Sequence, residues 1–524
     1  MAKNVVIFSD GTGQAGGLIP DELRSNIYKL YRAARCGTDT NINPREQVAF
    51  YDPGLGSQTD GGRAKIGWWR WIRNFLSKST GLGITENMVD CYSAIIHLWR
   101  PGDRIYLFGF SRGAYTVRCL GGVIALCGVP KTMEDGTLIR RDPKTVRRLA
   151  KEAVRHVYLH GMSRESAYLK EQLEDQRKEL AKNFRTKYKS NHPIDIDGTN
   201  EYPHFIGVFD TVAALGAQWP VIFVTTAGIL GAILALTALS AFFLWLFFVM
   251  PFLNWFGMLT AGVFAVAVLL GSVAYLYTHL KIAPDLKGYQ WWDRWHFTGW
   301  KMSFYDTKLN VNVGWARHAL SIDEGRKDFD RVKWGNRHDW RRVRQGEPTW
   351  FKQWWFAGNH SDIGGSYVEN ESRLSDTALH WIVTEAENIP DGLKVDSRLL
   401  HLSPDSEGMQ HDECKVGIPF LYFFHLDWPV GLRKPVEVAD LHDSVIRRFE
   451  ADAVLNYDVM ETYRSRVLRE HGKVRHFFEA DTLIEEKGQS AGSEAQSRAA
   501  NARAAGKAEE ADLWDRVARE IARR

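Results

Sequence analysis

The sequence predicts an α/β fold: a mostly parallel sheet covered by helices, interrupted by two insertions. Two observations carry this. Short apolar segments recur along the chain, each stopped by glycine or a polar residue, and helical stretches separate several of them. Strands buried on both faces need such continuous apolar runs. Lys3–Phe8 is the first strand and ends at Asp10-Gly-Thr-Gly, with a helix following over Asp21–Arg35. Gln47–Tyr51 is the second strand, stopped by Asp52-Pro-Gly, and Ile84–Trp99 is helical. Arg104–Phe110 is the third strand and Ala114–Leu126 the next helix; His204–Phe209 and Gln353–Ala357 are the fourth and fifth strands.

The 524 residues leave room for roughly two to four domains of about 100–200 residues. Lys and Arg total 67 against 63 Asp and Glu, too balanced for a dedicated nucleic-acid binder. Hydrophobic content of 45% excludes wholesale disorder. Cys36, Cys91, Cys119, Cys127 and Cys414 form neither a disulfide framework nor a zinc spacing, which fits a reducing compartment. The N-terminal segment does not read as a secretory signal.

The chain divides into a first core part over 1–130, carrying the nucleophile, and a basic helical insertion over 131–200. A core strand with an acid follows over 201–216, then an apolar hairpin over 217–282. The second core part, with a histidine loop, spans 283–480, and a charged Ala-rich tail spans 481–524. Residues 211–280 contain no Asp, Glu, Lys or Arg. Pro220–Met250 and Pro251–Leu280 each supply the ~20 apolar residues that cross ~30 Å of hydrocarbon, with Pro251 and Asn254 at the turn. Lys281, Lys287 and Arg294 follow the second span, so the expectation is two transmembrane helices with both flanks cytoplasmic. Trp291, Trp292, Trp295 and Trp300 suit interfacial anchors. Residues 131–190 hold 16 Lys and Arg against 9 Asp and Glu, a surface for anionic headgroups or a solvated helical cap. Beyond about residue 485 the composition reads as a mobile tail, helical from Ala508, that offers a place for a protein partner.

The strongest chemical signal is Gly109-Phe-Ser-Arg-Gly113, directly after a buried strand and before a helix. A nucleophile elbow requires that context, because the serine sits on a strained strand-to-helix turn between small residues. Ser111 is the expected nucleophile, and the Arg112 N–H points into an oxyanion site. Serine needs a base and an orienting acid, in the order Ser, Asp/Glu, His. Asp210 ends the fourth strand and is the expected acid. Two histidines stand as the base. His360 follows a strand end in a glycine-rich turn and is favoured; His318, in Ala316-Arg-His-Ala-Leu, looks helical. Asp362 either replaces Asp210 or supports the loop. Gly11 and Thr12, after Asp10, offer a second oxyanion donor.

Two look-alikes fail here. Gly11-x-Gly13-x-x-Gly16 matches a dinucleotide fingerprint, but the acid ending the next strand, Asp52, lies about forty residues on rather than ~20. An aspartyl-phosphatase reading would make Phe8 the nucleophile, which phenylalanine cannot be. No metal or other cofactor is required by the motifs present.

Five segments occur in order: Phe8-Ser-Asp-Gly-Thr-Gly, Pro101 through Gly109-Phe-Ser-Arg-Gly-Ala, Gly207-Val-Phe-Asp-Thr-Val-Ala, His318-Ala-Leu-Ser-Ile-Asp-Glu, and Phe356-Ala-Gly-Asn-His-Ser-Asp-Ile-Gly-Gly. Together they resemble the α/β-hydrolase family, catalogued as a domain of unknown function, that includes the type VI secretion phospholipase effectors. The resemblance spans about residues 4–385 without the hairpin. It implies a Ser/Asp/His lipid esterase with Ser111 and Asp210 in the family's positions, while both histidines lie in family-like motifs. The sequence departs at Asn359 and Ser366, where an aliphatic residue and a third glycine are expected. The expected function is a membrane-anchored serine hydrolase of lipid acyl esters, with membrane phospholipid as substrate and anchor. It would reside in the cytoplasmic (inner) membrane, and a secreted effector is the alternative. A soluble carboxylester or thioester hydrolase and an inactive hydrolase-fold scaffold are the competing readings.

Overall fold

The computed structural model describes the whole chain except residues 1, 12–22, 55–81, 161–166, 196, 213–218, 248–251, 284–285, 287–288, 298–307, 330, 336–346, 417–429 and 434–438. Among the described residues the strands are β1 (Asn4–Ser9), β2 (Gln47–Asp52), β3 (Arg104–Phe110), β4 (Pro203–Phe209), β5 (Leu280–Ile282), β6 (Trp295–Phe297), β7 (Trp315–Ser321), β8 (Phe351–Phe356) and a short antiparallel pair, β9 (Val454–Asn456) and β10 (Val459–Glu461). Six of them form one sheet in the order β2-β1-β3-β4-β7-β8, and every pairing in it is parallel. β5 and β6 pair separately and antiparallel.

Alternation along each strand sends side chains to two different cores. Val5 and Ile7 of β1, with Ile105 and Leu107 of β3, pack under helices α2 (Leu82–Leu98) and α3 (Arg112–Cys127). Val6 and Phe8, with Tyr106, Phe108 and Phe110, pack on the opposite face, under helix α1 (Asn26–Ala34). Burial on both faces explains why the interior positions of these strands, Val5–Phe8 and Ile105–Phe108, are apolar or aromatic, with Asn4, Ser9 and Arg104 confined to the strand ends. β1 has β2 on one side and β3 on the other, so the chain reverses direction across the sheet there. Such a switch opens a crevice at the strand carboxyl ends.

Between α3 and β4 lie α4 (Pro143–Lys151) and α5 (Ala167–Tyr188). The long apolar helices α6 (Trp219–Phe247) and α7 (Phe252–His279) lie between β4 and β5 and pack against each other. Among the described residues, one segment, Leu253–Val273, is long and apolar enough to cross a membrane; Ile233–Leu246 is apolar but shorter. The expected pair of spans is therefore met by one described segment. Pro251 of the expected turn, Lys287 and Trp300 lie outside the described residues, as do Thr12 and the expected helix start at Asp21.

Two expectations are corrected. The stretch around His318 is strand β7, paired on both sides within the sheet, not a helix. Ala, Arg and Leu favour helix locally, but a slot between β4 and β8 with both faces covered overrides that preference. The C-terminal segment is an ordered helical group rather than a mobile tail. After α8 (His360–Gly364) and α9 (Arg373–Glu387) come α10 (Arg475–Lys487), α11 (Ala491–Ala504) and α12 (Ala508–Arg523). Ala480, Leu483, Ala491, Ala495 and Val517 form their shared core. The alanines at 491, 495, 499 and 502 are buried at helical spacing, so a low-complexity composition hid a close-packed seam.

Val517 is fully buried in this seam. Val517→Asp should destabilise the C-terminal helices by roughly 2–4 kcal/mol, because a charge would be buried without a partner. Limited proteolysis and thermal denaturation check this. A mobile tail would leave both unchanged.

Candidate active site

The parallel register brings the strand ends to one edge. Asp10 N donates to Asp52 O, Ser111 N to Phe209 O and Asp210 N to Ala319 O, so the residues just beyond β1, β3 and β4 sit side by side.

At the end of β3, Ser111 takes φ 57 and ψ −121, a conformation that side chains other than glycine rarely adopt. Its side chain makes no capping hydrogen bond to α3. A Cβ on Gly109 would lie 2.5 Å from Gly113 O, and one on Gly113 would run into the Ser9 carbonyl. The flanking glycines are therefore steric requirements of the turn. Arg112 opens α3, where a backbone N–H has no intrahelical acceptor. Burial lowers its guanidinium to about 10.

Asp210 is fully buried and held at φ 36. Its Oδ2 lies 2.5 Å from His360 Nδ1 and accepts from Arg433 Nη2 at 3.0 Å. Its Oδ1 accepts from Arg433 Nη1 at 2.5 Å and from Ser321 N at 3.1 Å. Burial alone would raise this carboxyl, but the Arg433 charge and the His360 hydrogen bond outweigh it and hold the group well below the usual carboxylate range. Asp210 is thus ionised and clamped from two directions.

His360 starts the short helix α8. Asn359 caps this helix, its side chain accepting from Ser361 N and Asp362 N, while Asp362 accepts from Asn359 N. The His360 ring stacks on Phe110, the residue before Ser111, at 4.7 Å between centroids, with Phe329 edge-on at 5.3 Å. A Cβ at Gly364 would overlap the Phe110 ring, so α8 and the elbow are in direct contact. Glu324 Oε2 accepts from His360 N at 3.1 Å, and the same carboxylate is held by the Arg326 guanidinium. Of the two departures from the family pattern, Asn359 supplies the cap, and Ser366 sits at φ 104, where glycine would be unstrained.

The other expected residues fall elsewhere. His318 is buried, its Nδ1 3.3 Å from Gln353 Oε1 and its Nε2 3.4 Å from the N–H of Thr211. Burial first, then the Arg118 charge, push it well below the usual imidazole value. It braces the turn after Asp210. Asp362 bonds Asn359 N, His411 N (3.1 Å) and His411 Nδ1 (2.7 Å), and so supports the loop. The Gly11 N–H is already donated to Asp10 Oδ1 at 2.7 Å, so in this arrangement it is engaged rather than open to an oxyanion. Thr12 lies outside the described residues.

Sequence reasoning missed Arg433 and Glu324. Arg433 carries no motif, and only the fold brings it to Asp210, 223 residues away in sequence. Glu324 does have a signal: it closes the segment that begins at His318, and it, rather than that histidine, reaches the His360 backbone.

Residues 3–233 and 276–385 match the family model described as the type VI secretion system (T6SS) phospholipase effector Tle1-like catalytic domain. The chain belongs to this family. An uncharacterized protein of Saccharomyces cerevisiae, YEL023C, is 27% identical over 219 residues, covering 41% of this chain and 27% of that protein. The structure of the Tle1 effector bound to the VgrG spike of the type VI secretion system aligns over 71% of this chain and 52% of that one, at 16% identity and TM-score 0.27. An uncharacterized Pseudomonas aeruginosa protein aligns over 99% of this chain and 62% of its own, at 14% identity and TM-score 0.32. The Tle1-like chain thus spans less than two thirds of each of these three relatives.

Beside the elbow of this Tle1-like domain, Asp10 and Asp52 are two further buried carboxyls. Burial pushes Asp10 up to about 6, against hydrogen bonds from Ser25 Oγ, Tyr51 OH and Gly11 N. Burial likewise pushes Asp52 up to about 7, with the nearby Asp10 adding to it against the Ser9 hydroxyl. Both carboxyls bind protons more tightly in the folded chain than in the unfolded one. Their contribution to stability is therefore full below about pH 4 and falls as pH rises through 6 to 7.

Asp52→Asn should accordingly raise stability near pH 8 by on the order of 2–4 kcal/mol and change it little near pH 4. An equal or lower melting temperature near pH 8 contradicts this. Arg433→Met should cost roughly 3–5 kcal/mol, because it leaves a buried carboxylate short of its cation. In the folded variant the acid limb of a pH–rate profile for ester cleavage should move to higher pH, and Arg433→Lys should restore it in part. A limb that stays put would make Arg433 a purely structural residue.

Proposed function

We propose that this chain is a serine hydrolase of lipid acyl esters, with Ser111 as nucleophile, His360 as base and Asp210 as the orienting acid. The observation that carries the reading is the 2.5 Å contact between His360 Nδ1 and the ionised Asp210, with the imidazole stacked on the residue preceding the strained serine. Nδ1 donates to Asp210, which fixes the tautomer and leaves Nε2 to take the Ser111 proton. The serine oxygen attacks the acyl carbonyl, and the Arg112 N–H donates to the oxyanion. Collapse expels the lipid alcohol, which takes its proton from His360. Water activated by His360 then releases the fatty acid. The family description supports phospholipid as the ester.

The finer reading concerns the membrane. Helix α7 is exposed along its apolar length, with Leu253, Phe264, Leu269 and Leu270 all uncovered. A continuous apolar surface of this size calls for a bilayer or a partner. We read α6 and α7 as a hairpin that inserts into the membrane holding the substrate, with the core divided around it and around the basic insertion. The family description favours a second setting for the same chemistry, a secreted effector that inserts into a target membrane. A protein partner would meet the C-terminal helices.

Ser111→Ala should lower ester cleavage by about a thousandfold or more without changing the fold, and His360→Ala by a similar factor, since triad members act as a unit. His318→Ala should cost about 1–3 kcal/mol of stability and keep activity per folded molecule within about tenfold. Fatty-acid release from mixed phospholipid, alongside circular dichroism, checks all three. Full loss at His318 with an active His360→Ala enzyme would reverse the assignment.

A further inference from the structure

The basic insertion and the base of the hairpin meet. Helix α4 buries Val146, Leu149 and Ala150 and turns its other face outward. On that face Lys144, Arg148 and Lys151 recur at i, i+4 and i+7, a single stripe along the helix. Other cations nearby are already engaged: Arg147 with Glu86 and Asp90, Arg155 with Glu86, and Lys187 with Glu134 and Glu152. The three stripe residues have no ion-pair partner among the described residues.

The stripe lines a cavity of about 850 Å³ together with Arg147, Glu152, His156, Leu180, Lys187, Ile282 and Ala283. The Glu152 carboxylate there is already engaged, by Lys187 at 3.3 Å and by the Tyr188 hydroxyl at 2.7 Å. Ile282 stands three residues beyond the end of α7, so the cavity opens where the apolar helix leaves its hydrocarbon length. Ile282 pairs with Trp295 in the β5–β6 ladder. Trp291, Trp292 and Trp295 are 68%, 54% and 43% exposed beside it, aromatics of the kind that sit at headgroup depth. The insertion is fixed to this base, because Gln176 of α5 donates to Asp293 O at 3.0 Å. Unpaired cations, a cavity and exposed indoles thus share one level, at the end of the apolar helix.

We propose that this groove binds the phosphate of an anionic phospholipid headgroup, held by Lys144, Arg148 and Lys151. The proposal rests on the hairpin reading above. It makes the insertion the source of lipid selectivity, since the hairpin supplies apolar attachment to any bilayer while the groove selects anionic lipid. Each basic residue near an anionic surface contributes about fivefold to partition, so the three together contribute roughly a hundredfold.

The test uses the full chain in non-ionic detergent micelles, offered phosphatidylglycerol or phosphatidylcholine in ether-linked form, which the proposed ester cleavage cannot consume, with retained lipid counted by native mass spectrometry. The wild-type chain should retain phosphatidylglycerol in preference to phosphatidylcholine. Lys144→Gln/Arg148→Gln/Lys151→Gln should weaken that retention by roughly a hundredfold. Arg469→Gln/Lys473→Gln/Lys487→Gln removes the same charge from exposed positions elsewhere and should not. Equal retention by the stripe variant and wild type, in chains that enter micelles, overturns the groove and leaves the hairpin standing. Displacement of the lipid by millimolar glycerol phosphate would make this a site for free phosphate esters and also overturn the lipid assignment. A chain that stays out of micelles overturns the hairpin reading, and the groove proposal falls with it.

Discussion

A carboxylate withdrawn from water needs opposite charge and hydrogen-bond donors, or it takes up a proton. Asp210 has both. Arg433 clamps both of its oxygens, the Ser321 amide donates to one, and His360 Nδ1 meets the other. Much of the surrounding structure serves that requirement. The β4–β7 pairing brings the Ser321 amide within reach, and His318 braces the turn that holds Asp210 at a positive φ. The Asn359 cap and the Glu324 carboxylate aim the histidine helix at the same point. The Phe110 ring then joins this pair to the serine turn. Three loops far apart in sequence are held together through one buried charge.

The parts of this arrangement that were legible in the sequence are those whose constraint is local. The elbow announces itself because a strained turn with no room at Gly109 or Gly113 tolerates few residues. β1 and β3 are legible because burial on both faces leaves polar residues only at the strand ends. Asp210 and His360 could be named because each follows an apolar strand. What stayed hidden depends on tertiary context. β7 looks helical because its residues prefer helix, and its strand conformation comes from its neighbours. Arg433 is invisible because nothing near it in sequence indicates that it ends against Asp210. The seam of α11 was masked by an alanine-rich composition that resembles a linker, although small residues are what let helices approach closely.

Asp210 and the first residue of the apolar hairpin, Trp219, are separated by only nine peptide units. Fully extended, that stretch reaches at most about 32 Å, roughly one bilayer thickness. On the proposed reading the hydrolytic centre is moored to the surface it works on and explores a thin layer rather than a volume. Turnover would then follow the mole fraction of substrate within the lipid plane, and diluting the vesicles in buffer would leave it nearly constant. Diluting the substrate with inert lipid would slow it. The chain would behave as a two-dimensional reactor whose lysolipid and fatty-acid products accumulate around its own anchor.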